Sequence, residues 1–150
     1  MTRLVTSIRI NRPIETVFDY VTTPASWPQW HPSSIRVDTP ANKSLNIGEQ
    51  VREDIKVGWQ RDRVLWTVLE RERPRRWTIE GQGEHGGRAT IRYELTSDGA
   101  GTRFRRDLAY QMPNAILALV DLLIVRRIMN TTSRNALERL KQALEQQQAG

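Results

Sequence analysis

Two different spacings of apolar residues divide this chain. Residues 2–10 set Leu4, Thr6, Ile8 and Ile10 against Arg3, Val5, Ser7 and Arg9, and a period of two predicts a strand. Asn11-Arg12-Pro13 then opens a helix, with Glu15 near its positive end and Ile14, Val17, Phe18 and Val21 on one apolar face. Thr23-Pro24 stops it, a short second helix fits residues 24–30, and Pro28 and Pro32 impose turn or extended backbone around Trp30. From Ser33 to Tyr110 strands follow one another, at 49–58, 61–71, 76–82, 88–97 and 102–110. Their links are Gly58 to Gln60, Arg73-Pro74, a Gly-rich turn from Gly81 to Gly87, and Ser97-Asp98-Gly99-Ala100-Gly101, the clearest hairpin signal. Links this short predict an antiparallel meander. After Met112-Pro113-Asn114 the pattern is helical to the end, with Pro113 suited to the helix start.

Two charged residues fall on the apolar phase of these strands. In Val51 to Trp59 the odd positions are Val, Glu, Ile, Val and Trp, so Glu53 shares a face with Ile55 and Trp59. In Thr102 to Tyr110 the even positions put Arg106 between Phe104 and Leu108. A lone buried charge costs several kcal/mol unless it is paired or wet. The interior is therefore expected to be a cavity with polar handles rather than a dry core.

The length of 150 residues fits one domain, residues 1–150, and 38% hydrophobic with 27% charged residues suits a soluble globular protein. With no cysteine, thiolate chemistry is excluded; with only His31 and His85 a histidine-rich metal site is not expected, and no cofactor motif appears. The start, Met1-Thr2-Arg3-Leu4, lacks the apolar run of a secretory signal, so a cytoplasmic location is expected. The net charge of +6 is almost wholly arginine, since only three of the 23 basic residues are lysine. These arginines are interleaved with acids, as in Glu70-Arg71-Glu72-Arg73, which argues against nucleic acid as a partner.

The order strand, two short helices, about six antiparallel strands and a long helix resembles the helix-grip arrangement of START-like proteins. Local motifs carry the same resemblance: Ile10-Asn11-Arg12-Pro13-Ile14-Glu15-Thr16-Val17-Phe18, Trp27-Pro28-Gln29-Trp30-His31-Pro32, Ile47-Gly48-Glu49 and Gly101-Thr102-Arg103-Phe104. Together they resemble the polyketide cyclase/dehydrase and lipid-transport group of that superfamily over the whole chain. The resemblance implies an α+β fold, a curved antiparallel sheet wrapped around a long C-terminal helix, with a hydrophobic cavity between them. It implies no shared catalytic residue set, so function must be argued from the site.

The expected ligand-binding residues are those on the inward strand phases and one face of the last helix. Trp59, Trp66 and Trp77 are expected as aromatic walls, with Ile55, Ile91 and Phe104 beside them. Tyr93 and Tyr110 could supply hydroxyls to a carbonyl, Glu53 could orient a ligand or act as a base, and Arg106 could hold a carboxylate or enolate. Trp27 and Trp30 are read as anchors of the short helix, and His31 and His85 as loop residues. Residues 115–129 are apolar on more than the ~100° stripe that packing on one sheet requires. Ile116, Val120 and Leu123, with Leu119, are assigned to the cavity face, leaving Leu117, Ile124, Val125 and Ile128 for a homodimer or a membrane surface. Farther along, Ala136, Leu137, Leu140 and Leu144 are assigned inward.

Three functional readings follow. The leading one is binding of a small hydrophobic molecule: a lipid, a polyketide-like aromatic or an isoprenoid. The alternatives are a polyketide cyclase or dehydratase using Glu53 and Arg106, and an RNA- or ribosome-associated or quinone-binding relative of the same fold.

Overall fold

A computed structural model describes residues 1–38 and 42–149, with side chains to residue 147. Strand β1 (Thr2–Ile10) leads to helix α1 (Ile14–Val21), and a 3-10 turn (Pro24–Ser26) leads to helix α2 (Trp27–Trp30). Six further strands follow: β2 (Ser34–Val37), β3 (Gln50–Val57), β4 (Gln60–Glu72), β5 (Arg76–Gly83), β6 (Arg88–Asp98) and β7 (Gly101–Gln111). The C-terminal helix is continuous but changes pitch, from α3 (Ala115–Val120) through a π-helical turn (Asp121–Val125) to α4 (Arg126–Ala149). Its start is capped by Asn114, whose side chain accepts from the Leu117 N–H at 2.9 Å, two residues later than a proline in the first helical position would put it.

The seven strands form one antiparallel sheet in the order β1-β7-β6-β5-β4-β3-β2. The meander from β2 to β7 places each strand beside the next, and β1 closes on β7. Asp98 pairs with Gly101 across a two-residue turn in which Gly99 has φ of +61°, so the expected hairpin is present. The short edge strand β2 has no clear sequence signal, because Ser34, Ile35, Arg36 and Val37 alternate too weakly to announce it. β5 also runs through Gly81 to Gly83, residues whose glycines predict a turn.

α4 packs across β1 and α2, burying Ala136, Leu137, Leu140 and Leu144 as their spacing predicts. At the same end of the sheet's concave face, beside α2, Trp27, Trp77, Tyr93 and Phe104 form a chain of ring contacts. Trp77 stacks on Tyr93 at 5.4 Å, with Trp27 edge-on to Trp77 at 6.2 Å and Phe104 edge-on to Tyr93 at 4.9 Å. Between this aromatic layer and the α3 end of the helix the interior stays open.

Candidate functional site

The opening is a cavity of about 500 Å³, bounded by the inner face of β3 to β7, by α2 and by the C-terminal helix. Its shape depends on a missing side chain. A Cβ on Gly81 would lie 2.5 Å from the Trp66 ring and 2.7 Å from Val64, so only glycine lets that indole lie across β5. From there Trp66 Nε1 donates to Glu53 Oε1 at 3.0 Å, with Trp66 paired opposite Val51 and Glu53 opposite Val64.

Glu53 and Arg106 both face inward, only 7% and 5% exposed. Burial pushes the Glu53 carboxyl above its usual range, although Ser34, Trp66 and the Arg106 charge pull the other way. Arg106 donates from Nη1 to Ser133 Oγ on α4 at 3.3 Å, while its Nε–H is buried without a partner. Among the described residues no carboxylate lies within 4.0 Å of Arg106, so the two charges do not form an ion pair. Tyr93, directly opposite Arg106 in the β6–β7 register, has its phenol pushed up to about 12 by burial, against the pull of Arg106.

His31 joins this group from α2. Its Nδ1 accepts the Ser33 backbone N–H at 3.2 Å, so the neutral ring carries its proton on Nε2, and Nε2 is buried with no partner. Burial holds its pKa well below the ordinary histidine value, and the Arg106 and Arg139 charges add to the shift. Folded His31 therefore stays neutral where the unfolded chain binds a proton. Between the folded pKa and about 6.5 the unfolded state holds more protons, so stability falls as pH falls below about 6.5. His31→Gln should flatten that part of a stability-versus-pH curve measured by urea unfolding; an unchanged slope would show that His31 is not the group responsible.

Of the expected ligand-binding residues, Glu53, Ile55, Trp59, Trp66, Ile91, Tyr93, Arg106 and Tyr110 border the cavity. Trp59 does so only at the rim, in the β3–β4 turn, 64% exposed rather than walled in. Tyr110 has its hydroxyl committed to Asp121 Oδ1 at 2.5 Å, so it offers no free donor to a carbonyl. Trp77 and Phe104 do not reach the cavity: both are fully buried behind Tyr93, and Trp77 Nε1 donates to the Leu45 carbonyl at 3.1 Å.

The helix face is also corrected. Ile116, Val120 and Leu123 do not line the cavity; Ile116 and Leu123 are exposed, whereas Leu117, Val125 and Ile128 point in. Asp121 sets this register. It is buried at the sheet edge, where Thr2 Oγ1 donates at 2.7 Å to the carboxylate that also receives the Tyr110 hydroxyl. Turning Asp121 inward turns Leu119, Leu122 and Leu123 outward, and the π-helical turn then resets the phase for Val125 and Ile128.

Ser133, Gly81 and His31 are among the contributors that lie outside the set expected from sequence. Ser133 is a polar residue on the stripe of Ala136, Leu137 and Leu140, the same signal that marks Glu53. Gly81 continues the inward phase of Trp77 and Ile79, so its strand position is readable. Nothing in the sequence around His31 distinguishes an inward ring from a loop ring. Trp27 and Trp30 anchor α2 through Nε1 bonds to the Val21 carbonyl at 2.9 Å and Ser26 Oγ at 3.2 Å, and also border the cavity.

Comparison with known proteins gives a family and a fold. The family model described as polyketide cyclase / dehydrase and lipid transport matches residues 1–145. No curated protein matches the sequence. Among solved structures, a protein from Thermus thermophilus has a TM-score of 0.78 at 16% identity, covering 94% of this chain and 95% of that one. A Mesorhizobium loti protein has a TM-score of 0.71 at 18% identity, with 97% and 98% covered. A START superfamily protein from Mycobacterium smegmatis has a TM-score of 0.72 at 16% identity, with 96% and 97% covered. Identities this low show a shared fold, the curled antiparallel sheet with its long C-terminal helix.

Proposed function

The chain belongs to the polyketide cyclase/dehydrase and lipid-transport family, a hydrophobic-ligand-binding fold, and from that premise we propose that it binds one small amphipathic molecule in its cavity. The observation that carries this reading is the pairing of an apolar cavity of about 500 Å³ with a buried polar end made by Glu53, Arg106 and His31. Apolar burial at ~25 cal/mol per Å² would supply most of the affinity, and the polar end would set orientation. Ala89 sits on the cavity wall, so Ala89→Phe should fill space that a ligand needs without disturbing the packed aromatic layer. Titration of an environment-sensitive fluorophore with an aliphatic tail should saturate at one molecule per chain, and the variant should lose at least tenfold in affinity. Equal binding by both proteins would mean that the cavity is not the binding site.

The mouth supports a membrane surface as the place of ligand exchange. Asp121 is buried and Ile116, Leu119, Leu122 and Leu123 are exposed, so α3 and its π-helical turn are inside out for a face bathed in water. Trp59 stands exposed in the β3–β4 turn, where neighbouring Gly58 approaches the Ile128 side chain that lines the cavity. Arg126 and Arg127 follow directly, exposed and outside every ion pair of the described residues, as an anionic headgroup layer requires. A second protomer on this face would cover the mouth, which favours the bilayer. No helix of the described chain is long and apolar enough to cross a membrane, so contact would be interfacial. Leu122→Gln with Leu123→Gln should leave the unfolding free energy within ~0.5 kcal/mol of wild type and abolish sedimentation with phosphatidylcholine/phosphatidylglycerol vesicles. If the wild type ignores vesicles and light scattering instead shows a dimer that the double variant breaks, the surface is a subunit interface.

The buried Glu53 carboxyl, raised by desolvation, favours a second reading as a general base for cyclisation or dehydration, with Arg106 stabilising enolate charge. Glu53→Gln should then abolish turnover of a polyketide-like substrate while leaving binding intact. The RNA-associated reading has less support, because many surface arginines are engaged by acids, among them Arg3–Asp107, Arg73–Asp19 and Arg63–Asp38.

A further inference from the structure

The buried end of the cavity has an excess of hydrogen-bond donors and an unmatched positive charge. Arg106 offers Nε–H, buried and unpartnered among the described residues, while its guanidinium makes a long 3.3 Å contact to Ser133 and faces the Tyr93 hydroxyl. His31 offers Nε2–H, also buried and unpartnered, in a tautomer fixed by the Ser33 N–H on its other nitrogen. Orphaned buried donors are rare in folded proteins, since each forfeits its hydrogen bond to water without replacement. Two of them at one site point to a missing acceptor.

Charge narrows the acceptor further. The nearest candidate counter-ion, Glu53, already accepts the Trp66 indole N–H on Oε1 and lies beyond ion-pair distance of Arg106. Burial raises its carboxyl above the usual range, which makes it a weak counter-ion for Arg106. A protonated amine head would bring only donors and a second positive charge, and an alcohol would bring an acceptor oxygen without the charge. An ester would bring an acceptor but no charge. A planar group with two negatively charged oxygens fits both the donor count and the guanidinium fork.

Resting on the reading of the cavity as a ligand site, we propose that Arg106 and His31 form a carboxylate subsite, so that the ligand is a monocarboxylate with an apolar body. The carboxylate meets Arg106 and His31 at the buried end, and the apolar body extends between Ile91, Leu108 and Leu117 toward the rim at Trp59. Ser133 holds the guanidinium from α4, which couples the helix to the head of the ligand.

The test uses four probes with one tail: dodecanoate, methyl dodecanoate, dodecanol and dodecylamine, titrated by displacement of the cavity fluorophore at pH 7. Dodecanoate should bind the wild type roughly 10- to 100-fold tighter than dodecanol, the ratio that one or two charge-assisted hydrogen bonds give. Arg106→Met should remove that preference, lowering dodecanoate affinity far more than dodecanol affinity. His31→Phe should reduce the preference in part, and it carries the test by itself if Arg106→Met does not fold. Glu53→Gln keeps an acceptor for the Trp66 indole while removing the competing acid, so it should strengthen dodecanoate severalfold relative to dodecanol. Equal affinity across the four probes would overturn the carboxylate subsite while leaving the apolar cavity standing. Failure of all four to displace the fluorophore would instead overturn the cavity as a ligand site.

Discussion

Trp77→Ala should lower the unfolding free energy by about 3–5 kcal/mol, the range for truncating a large, fully buried aromatic. Trp77 is 0% exposed, stacks on Tyr93 and meets the edge of Trp27, so its removal opens a void that three elements border. It also leaves the Leu45 carbonyl without its donor, which adds to the loss. Chemical denaturation should show the midpoint moving down with little change in slope. Trp66→Ala should cost clearly less, because one side of that indole already borders open cavity, and it should enlarge the space available to a ligand. Equal losses for the two variants would mean that Trp66 is ordinary core and that the space beside it closes in solution.

That contrast between two strand tryptophans also marks how far the sequence can be read. Both sit on inward phases, and alternation alone treats them alike. What separates them is depth along the curved sheet, which depends on the bend of every strand between them and has no local signature. Strand order from β3 to β7 is legible because those turns are short and local: Gly99 at positive φ fixes one hairpin, and Arg73-Pro74 and Gly58 punctuate others. Glu53 and Arg106 are legible for a similar reason, since a charge on an apolar phase stands out within nine residues. The helix face is not legible because residues 115–129 are apolar nearly all round, so hydrophobicity holds little information about rotation. A polar contact decides it: Asp121 reaches Thr2 and Tyr110, partners 119 and 11 positions away in sequence. The place of His31 is equally hidden, because it follows from how α2 packs against β2 and the C-terminal helix, far along the chain.

The double variant Arg106→Met with Glu53→Gln should be more stable than the wild type, by about 1–4 kcal/mol at pH 7. Each substitution removes a burden that the folded state carries without compensation. Arg106 is a buried guanidinium with no carboxylate in ion-pair reach among the described residues, so its desolvation is offset by Ser133, the facing Tyr93 hydroxyl and the distant field of Glu53. Met fills similar volume with no charge to bury. Glu53 has a carboxyl pKa raised above its unfolded value, so the folded state holds its proton over a range where the unfolded chain has lost it. Stability from this group is therefore full below the unfolded value, about 4.3, and falls as pH rises through the folded pKa. Gln cannot ionise, so its advantage over Glu should vanish near pH 4 and grow toward neutrality, while its carbonyl still accepts the Trp66 indole. A variant that gains stability and loses its preference for dodecanoate would show a site whose strain is kept for a ligand. A loss of stability instead would show that Arg106 is part of the frame, with Glu53 as its working counter-ion across the cavity.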